Sequence, residues 1–413
     1  MLYGIAAATA SFLLAALLAA LLRAPALRLA LVDRRRQRPV PLLGGAAVVL
    51  VTGAVAWTGD RTGVVPLGSG VGRLLAAGVA VGALGLAADV WRLRRRWLLA
   101  GTAVAAACVV PYGETGPVAG GLAVAFVAAV AVAFRGLDHA DGVAGTVGVV
   151  TAFGVGACAA AELMDGLAVL LLALAAALTG FLLHNWHPAR IALGACGSLF
   201  AGFLLAGATV FTRAGHEPLA GAGVAFALTA LAGVDAVLVL LSRRLAGRPL
   251  LRGGPDHLAH RLRRLGLTPQ GAVVVLAVAS FCGVLVGVLV HTGWAGRVAV
   301  LWVAGGAVVG TAALLRVRVY GARGVRGSRE VRVPGERRAE AHDARRAGEG
   351  GSRRVGADVP SRRRPTQAQG SRTPPGATGA PGEASSRGTI FPVRQSRRAE
   401  KPQVNEVLRV RNG

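Results

Sequence analysis

The chain has 413 residues, 54% of them hydrophobic and only 16% charged, and its mean hydropathy is +0.55. A soluble globular domain carries about a quarter charged residues, so these proportions exclude an ordinary water-soluble globule. The net charge of +26 is divided unevenly: +12 lies before residue 316 and +14 in the much shorter stretch from residue 316 onward.

Apolar runs approaching the ~20 residues that a bilayer requires recur almost to residue 315. They lie at 2–22, 42–59, 74–88, 97–112, 117–134, 143–161, 166–184, 194–213, 218–241, 271–291 and 295–315. The sequence therefore predicts an all-α polytopic membrane protein of about 10–11 transmembrane helices. No basic residue precedes the first run, where a secretory signal peptide is positive, so this run is read as a span. Arginines between the runs alternate. One set of alternate loops, from Arg23 to Arg264, holds 19, and the other holds four, Arg61, Arg73, Arg213 and Arg297. Short loops rich in Lys and Arg stay on the cytoplasmic side. The N-terminus is thus expected outside the cell membrane and the C-terminal tail inside.

Residues 1–315 form one predicted domain, the transmembrane one. Residues 316–413 form the second, a tail rich in Arg, Gly, Pro and Ser. Such a composition buries too little apolar surface to offset the entropy of ordering, so a disordered tail is expected. Its arginines are expected to be drawn to anionic membrane lipids. No aromatic platform interleaves them, so nucleic acid is not an expected partner. Cys108, Cys158, Cys196 and Cys282 show no CxxC spacing and are read as buried small hydrophobes.

Ionisable groups are costly inside hydrocarbon, so the polar residues at the ends of the runs are the informative ones. Ala88-Asp89 closes the third run ahead of Arg94–Arg96. Residues 134–145 read Phe-Arg-Gly-Leu-Asp138-His-Ala-Asp141-Gly-Val-Ala-Gly. The two carboxylates share a face of any helical turn there, which invites a cation or hydrogen-bond donors between them. Asn185-Trp-His-Pro-Ala-Arg190 leads to Gly194-Ala-Cys-Gly-Ser198, where an opening helix would offer free N–H groups to an anion. Asp256-His257-Leu-Ala-His260-Arg261 sets two histidines beside an arginine suited to clamping a phosphate. All four segments fall on the side assigned to the cytoplasm.

In this order, over most of residues 30–270, these segments resemble the polyprenyl-phosphate N-acetylhexosamine-1-phosphate transferases (the MraY/WecA type). Arg38-Pro-Val-Pro-Leu-Leu-Gly-Gly45 is similar to the family's Pro-x-x-Gly-Gly approach to its second helix. Asp138 to Gly145 is similar to Asp-Gly-x-Asp-Gly-Leu-Ala-Gly, and Asn185 to Ser198 to Asn-x-x-Pro-Ala-Lys/Arg-Ile…Gly-Asp-x-Gly-Ser. Asp235 and the segment Asp256–Leu262 resemble the ninth-helix Asp and the histidine loop.

The resemblance implies a reaction in cell-envelope glycan or peptidoglycan precursor synthesis. A polyprenyl phosphate (undecaprenyl or decaprenyl) attacks the β-phosphate of a UDP-N-acetyl sugar, giving the lipid-diphospho-sugar and UMP. It implies Mg2+ on the diphosphate. It assigns Asp89, Asp138 and Asp141 to catalysis, with Asp89 and Asp141 on the metal. Arg38, Asn185, Ser198, His257, His260 and Arg261 are assigned to substrate binding. A homodimer is compatible with this reading. The chain departs from the family at Ala88, Ala195 and Ala259, which stand where the family has Asp, Asp and His, and at Arg135, which stands for an Asn. These departures sustain a second reading, a family member without turnover that keeps a lipid-phosphate or nucleotide site. Arg135 is expected to supply positive charge in an anion pocket independent of metal. A transporter is disfavoured because the apolar runs carry almost no charge besides Asp235.

Overall fold

The computed structural model describes residues 2–33, 39–91, 93–249, 254, 256–317 and 319. They form α1 (Leu2–Arg28), α2 (Gly44–Arg61), α3 (Gly68–Trp91), α4 (Arg95–Val109), α5 (Tyr112–Leu137) and α6 (Val143–Ala161). The series continues with α7 (Asp165–Asn185), α8 (Gly194–Arg213), α9 (Pro218–Leu245), α10 (Leu258–Arg264), α11 (Pro269–His291) and α12 (Ala299–Leu315). Each predicted run coincides with one helix, and 143–161 and 194–213 match to the residue. Eight helices are long and apolar enough to cross a membrane on their own: α1, α3, α5 to α9 and α11. The other three predicted runs fall short individually. α4 and α12 have 15 and 17 residues, and α2 ends on Asp60-Arg61. Between α1 and α2, β1 (Val32–Asp33) pairs antiparallel with β2 (Val40–Pro41), a feature the all-α expectation did not contain.

Successive long helices reverse direction. One end of the bundle therefore gathers the last turns of α3, α5, α7 and α9 with the first turns of α2, α6, α8 and α11. At the centre lies α8, buried on all sides from Gly194 to Thr209, as expected of a helix with no polar face. It packs against α2, α3, α5 and α6. Small residues permit this closeness. A Cβ on Gly45 would collide with the backbone of Leu193 and Gly197, and one on Gly85 with Ala195.

Only two cysteines meet the expectation of burial. Cys158 and Cys196 are buried, whereas Cys108 and Cys282 are exposed on the outer helices α4 and α11. Their apolar neighbourhood faces outward because a membrane helix needs no polar outer face. Leu13, Leu17 and Phe281 point the same way, each more than half exposed. Arg38 and all of the predicted tail except Arg316, Val317 and Val319 lie outside the described residues.

Candidate active site

The stretch before α8 is pinned by the segment that precedes α2. Ala192 donates its N–H to the Pro41 carbonyl at 2.7 Å, and its own carbonyl accepts from Gly44 at 3.1 Å. Gly194 then turns into α8 with φ +69°, and a Cβ there would lie 2.7 Å from both Leu42 O and Asp89 Oδ2. Only glycine meets both demands. The first N–H groups of a helix have no partner within it. Here Asp138 Oδ2 accepts from Gly194 at 2.8 Å, and Asp89 Oδ2 accepts from Ala195 at 2.7 Å and Cys196 at 3.2 Å. The expectation that these N–H groups stand ready for a substrate anion is corrected. Two carboxylates of the chain already occupy the positive end of α8.

Arg135, in the last turn of α5, exerts an electrostatic pull on Asp89. Its Nε is buried with no hydrogen-bond partner. It lines a small cavity with Arg95, Leu98, Val132 and Gly136, so a positive charge does adjoin Asp89.

Three residues after Asp138, Asp141 engages a different segment. Its Oδ2 meets His187 Nδ1 at 2.8 Å and accepts the Ala189 N–H at 3.1 Å. Asn185 ties the same turn to the approach of α8. Its Oδ1 accepts the Gly142 N–H at 2.9 Å and its Nδ2 donates to the Ile191 carbonyl at 2.8 Å. Ser198 is fully buried and donates to the Gly194 carbonyl one turn back, at 2.5 Å. Expected beside a nucleotide, Asn185 and Ser198 instead direct their side chains to backbone, because both are buried where unpaired polar groups would be costly.

His139, between the two aspartates, stacks on His257 with ring centroids 4.2 Å apart, and His260 lies tilted at 4.9 Å. His257 Nδ1 is 2.8 Å from Asp235 Oδ2, and Asp235 Oδ1 accepts the Leu258 N–H at 2.8 Å. Burial, aided by the neighbouring His257, holds the His139 ring well below the ordinary histidine range. Burial and the same neighbour push His260 down to about 4. Both rings are therefore neutral at pH 7.

Arg261 is the clearest departure from its expected role. Its Nε donates to the Asp256 carbonyl at 3.1 Å, its Nη1 to the carbonyls of Leu314 (2.6 Å) and Val317 (2.9 Å), and its Nη2 to Ser242 Oγ (2.5 Å). The side chain is buried, so it fastens α10 to the ends of α9 and α12 in place of clamping a phosphate. Beside it, Arg243 grips Asp256 through two bonds of 2.6 and 3.0 Å. Asp256 opens the segment singled out from sequence, but Arg243, in the last turn of α9, was not expected as its partner.

The turn at 138–142 thus joins the whole end: Asp138 meets α8, Asp141 and Gly142 meet 185–189, and His139 meets the histidine loop. Magnesium takes oxygen ligands, commonly one or two carboxylates plus waters and phosphates. Asp89 and Asp138 flank Gly194 from two sides and offer that donor type. Asp141, expected to share the ion with Asp89, is turned to His187 and Ala189. Asp89 and Asp138 both reach the start of α8 and supply carboxylate oxygens of the kind a hard cation takes. His139 was missed as a participant. The available signal was a histidine standing where the similar motif has glycine.

The model of glycosyl transferase family 4 matches residues 72–213, which span α3 to α8. A Streptomyces coelicolor protein, named only provisionally as a glycosyltransferase, is 71% identical over 100% of this chain and 99% of its own length. The decaprenyl-phosphate N-acetylglucosaminephosphotransferase of Mycolicibacterium smegmatis is 28% identical over 58% of this chain and 69% of its own. The phospho-N-acetylmuramoyl-pentapeptide-transferase of Desulforamulus reducens is 33% identical over 37% of this chain and 44% of its own.

Proposed function

The chain belongs to glycosyl transferase family 4, and on that footing we propose that it moves a sugar-1-phosphate from a UDP-N-acetylhexosamine to a polyprenyl phosphate. The observation that supports this most is the 138–142 turn, where carboxylates from α3 and α5 meet the start of α8 beside a histidine loop. An oxygen of the lipid phosphate attacks the β-phosphorus of the UDP-sugar. The bond from that phosphorus to the bridging oxygen breaks, and UMP leaves with the electron pair. Named relatives act on decaprenyl or undecaprenyl phosphate, which sets the class of lipid in this reading.

A magnesium ion held at Asp89 and Asp138 would neutralise charge on the diphosphate. The residues of the chain do the rest. Bonds from Ala195, Cys196 and Gly194 fix Asp89 and Asp138 in place, so little reorganisation accompanies the reaction. Asp141, oriented by His187, is positioned for proton transfer at the lipid phosphate. Asn185 holds the turn and the α8 approach in register. Arg135 and the half-buried His260 would face the diphosphate. This end of the bundle is the cytoplasmic one in our reading, because the loops there carry the arginine excess.

Ala195 favours a second reading. Where the similar motif has a carboxylate, this chain has a methyl group whose own N–H is held by Asp89. A protein that binds UMP or lipid phosphate without turnover would have that feature. Incubating detergent-purified protein with decaprenyl phosphate, UDP-N-acetylglucosamine and Mg2+ and following UMP release separates the two. Release that stops with EDTA supports the transferase. Tight UMP binding without release supports the second reading, and neither activity refutes both.

A further inference from the structure

We propose that His139, Asp235 and His257 bind one divalent cation of the zinc class, at a position separate from the carboxylate pair Asp89 and Asp138. One ligand atom from each of the three lies within 4.8 Å of the others. Tetrahedral zinc with bonds of ~2.0–2.2 Å holds its ligand atoms at roughly 3.3–3.5 Å, so the stacked rings of His139 and His257 must turn toward a common point to close the site. The inference does not rest on the transferase reading, since it concerns only these side chains and their affinity for metal.

The geometry of His139 points to a ligand. Its Nδ1 is 2.8 Å from the Gly136 carbonyl. That bond places the ring hydrogen on Nδ1 and leaves the lone pair on Nε2, the arrangement by which backbone carbonyls orient metal-binding histidines. Nε2 is buried and has no hydrogen-bond partner. A buried polar atom normally has one, and a cation supplies what is missing.

The other two groups complete the set. Asp235 and His257 approach at 2.8 Å, and a metal would take the place of the hydrogen shared between them. Asp235 is already anchored through Oδ1 to the Leu258 N–H. Two imidazoles with one carboxylate suit zinc, cobalt or nickel, whereas all-oxygen sites suit magnesium. His260 lies nearby, 4.9 Å from His139 between ring centroids.

The test uses the full chain purified in detergent with a tag free of histidine. Elemental analysis after equilibration with zinc is expected to find one zinc per chain. Cobalt in its place should give the visible absorption of a tetrahedral nitrogen–oxygen site. His139→Gly should weaken zinc binding at least tenfold. His216→Ala, in the histidine–glutamate group at the far end of the bundle, should leave it unchanged. Because His139→Gly could unfold the turn, a second readout uses the wild type: zinc should shield His139 and His257 from histidine-modifying reagent while magnesium does not. Absence of bound zinc, unchanged affinity in a folded His139→Gly, or no shielding would each overturn the site.

Discussion

Both ends of the helix bundle carry ionic contacts, but different surroundings hold them. At the far end Arg297 pairs with Glu217 while their side chains remain 73% and 48% exposed. Glu162 there lies 3.3 Å from both His216 and His291 and is 30% exposed. At the near end Arg243 and Asp256 are 2% and 0% exposed, and Asp89, Asp138, Asp141 and Asp235 each accept hydrogen bonds from another element. Exposed charges persist at little cost because water solvates them. Buried ones persist only where the fold brings donors from several segments. Burial of both partners, rather than charge itself, separates the Arg243–Asp256 pair from the exposed Arg297–Glu217 pair at the far end.

The sharpest way to break this contrast is Asp256→Ala. It removes the carboxylate that accepts two bonds from a buried guanidinium and should lower stability by about 3–5 kcal/mol, measured by denaturant unfolding in detergent. A loss below ~1 kcal/mol would place that pair with the far-end contacts. Next comes Asp89→Ala, which leaves the Ala195 and Cys196 N–H groups unsatisfied and should cost about 1–3 kcal/mol for each. Asp89→Asn keeps an acceptor oxygen and should melt much closer to the wild type.

Gly45→Ala should cost about 1–3 kcal/mol by forcing α2 away from α8. Gly113→Ala, where nothing lies within 4 Å of the added carbon, should change stability by no more than ~0.5 kcal/mol. The smallest effect belongs to Arg297→Ala at the far end, less than about 1 kcal/mol and fading with added salt.

What could be read from the sequence follows the same division. Runs bounded by a left-handed glycine, Gly142 before α6 and Gly194 before α8, were placed to the residue, since apolar periodicity and a forced turn agree there. α3 was drawn too short, at 74–88 for Gly68–Trp91, because Gly70, Gly72 and Arg73 dilute its first turns without ending the helix. The two-residue strands of the 32–41 hairpin leave no period to detect. At the site, residue type located the polar segments but not the use of their atoms. Arg261 looks identical in sequence whether it faces a phosphate or the carbonyls of α12, and only packing decides. The Asp89 bonds to α8 join residues 106 and 107 apart, a pairing that local spacing cannot show.

The claim that the near end performs the chemistry is tested most directly by UMP release from three proteins in one detergent: wild type, Asp89→Asn and Arg297→Ala. The wild type should turn over, Arg297→Ala should stay within about twofold of it, and Asp89→Asn should fall by roughly 100-fold or more while remaining folded. Equal rates for the wild type and a folded Asp89→Asn would contradict it.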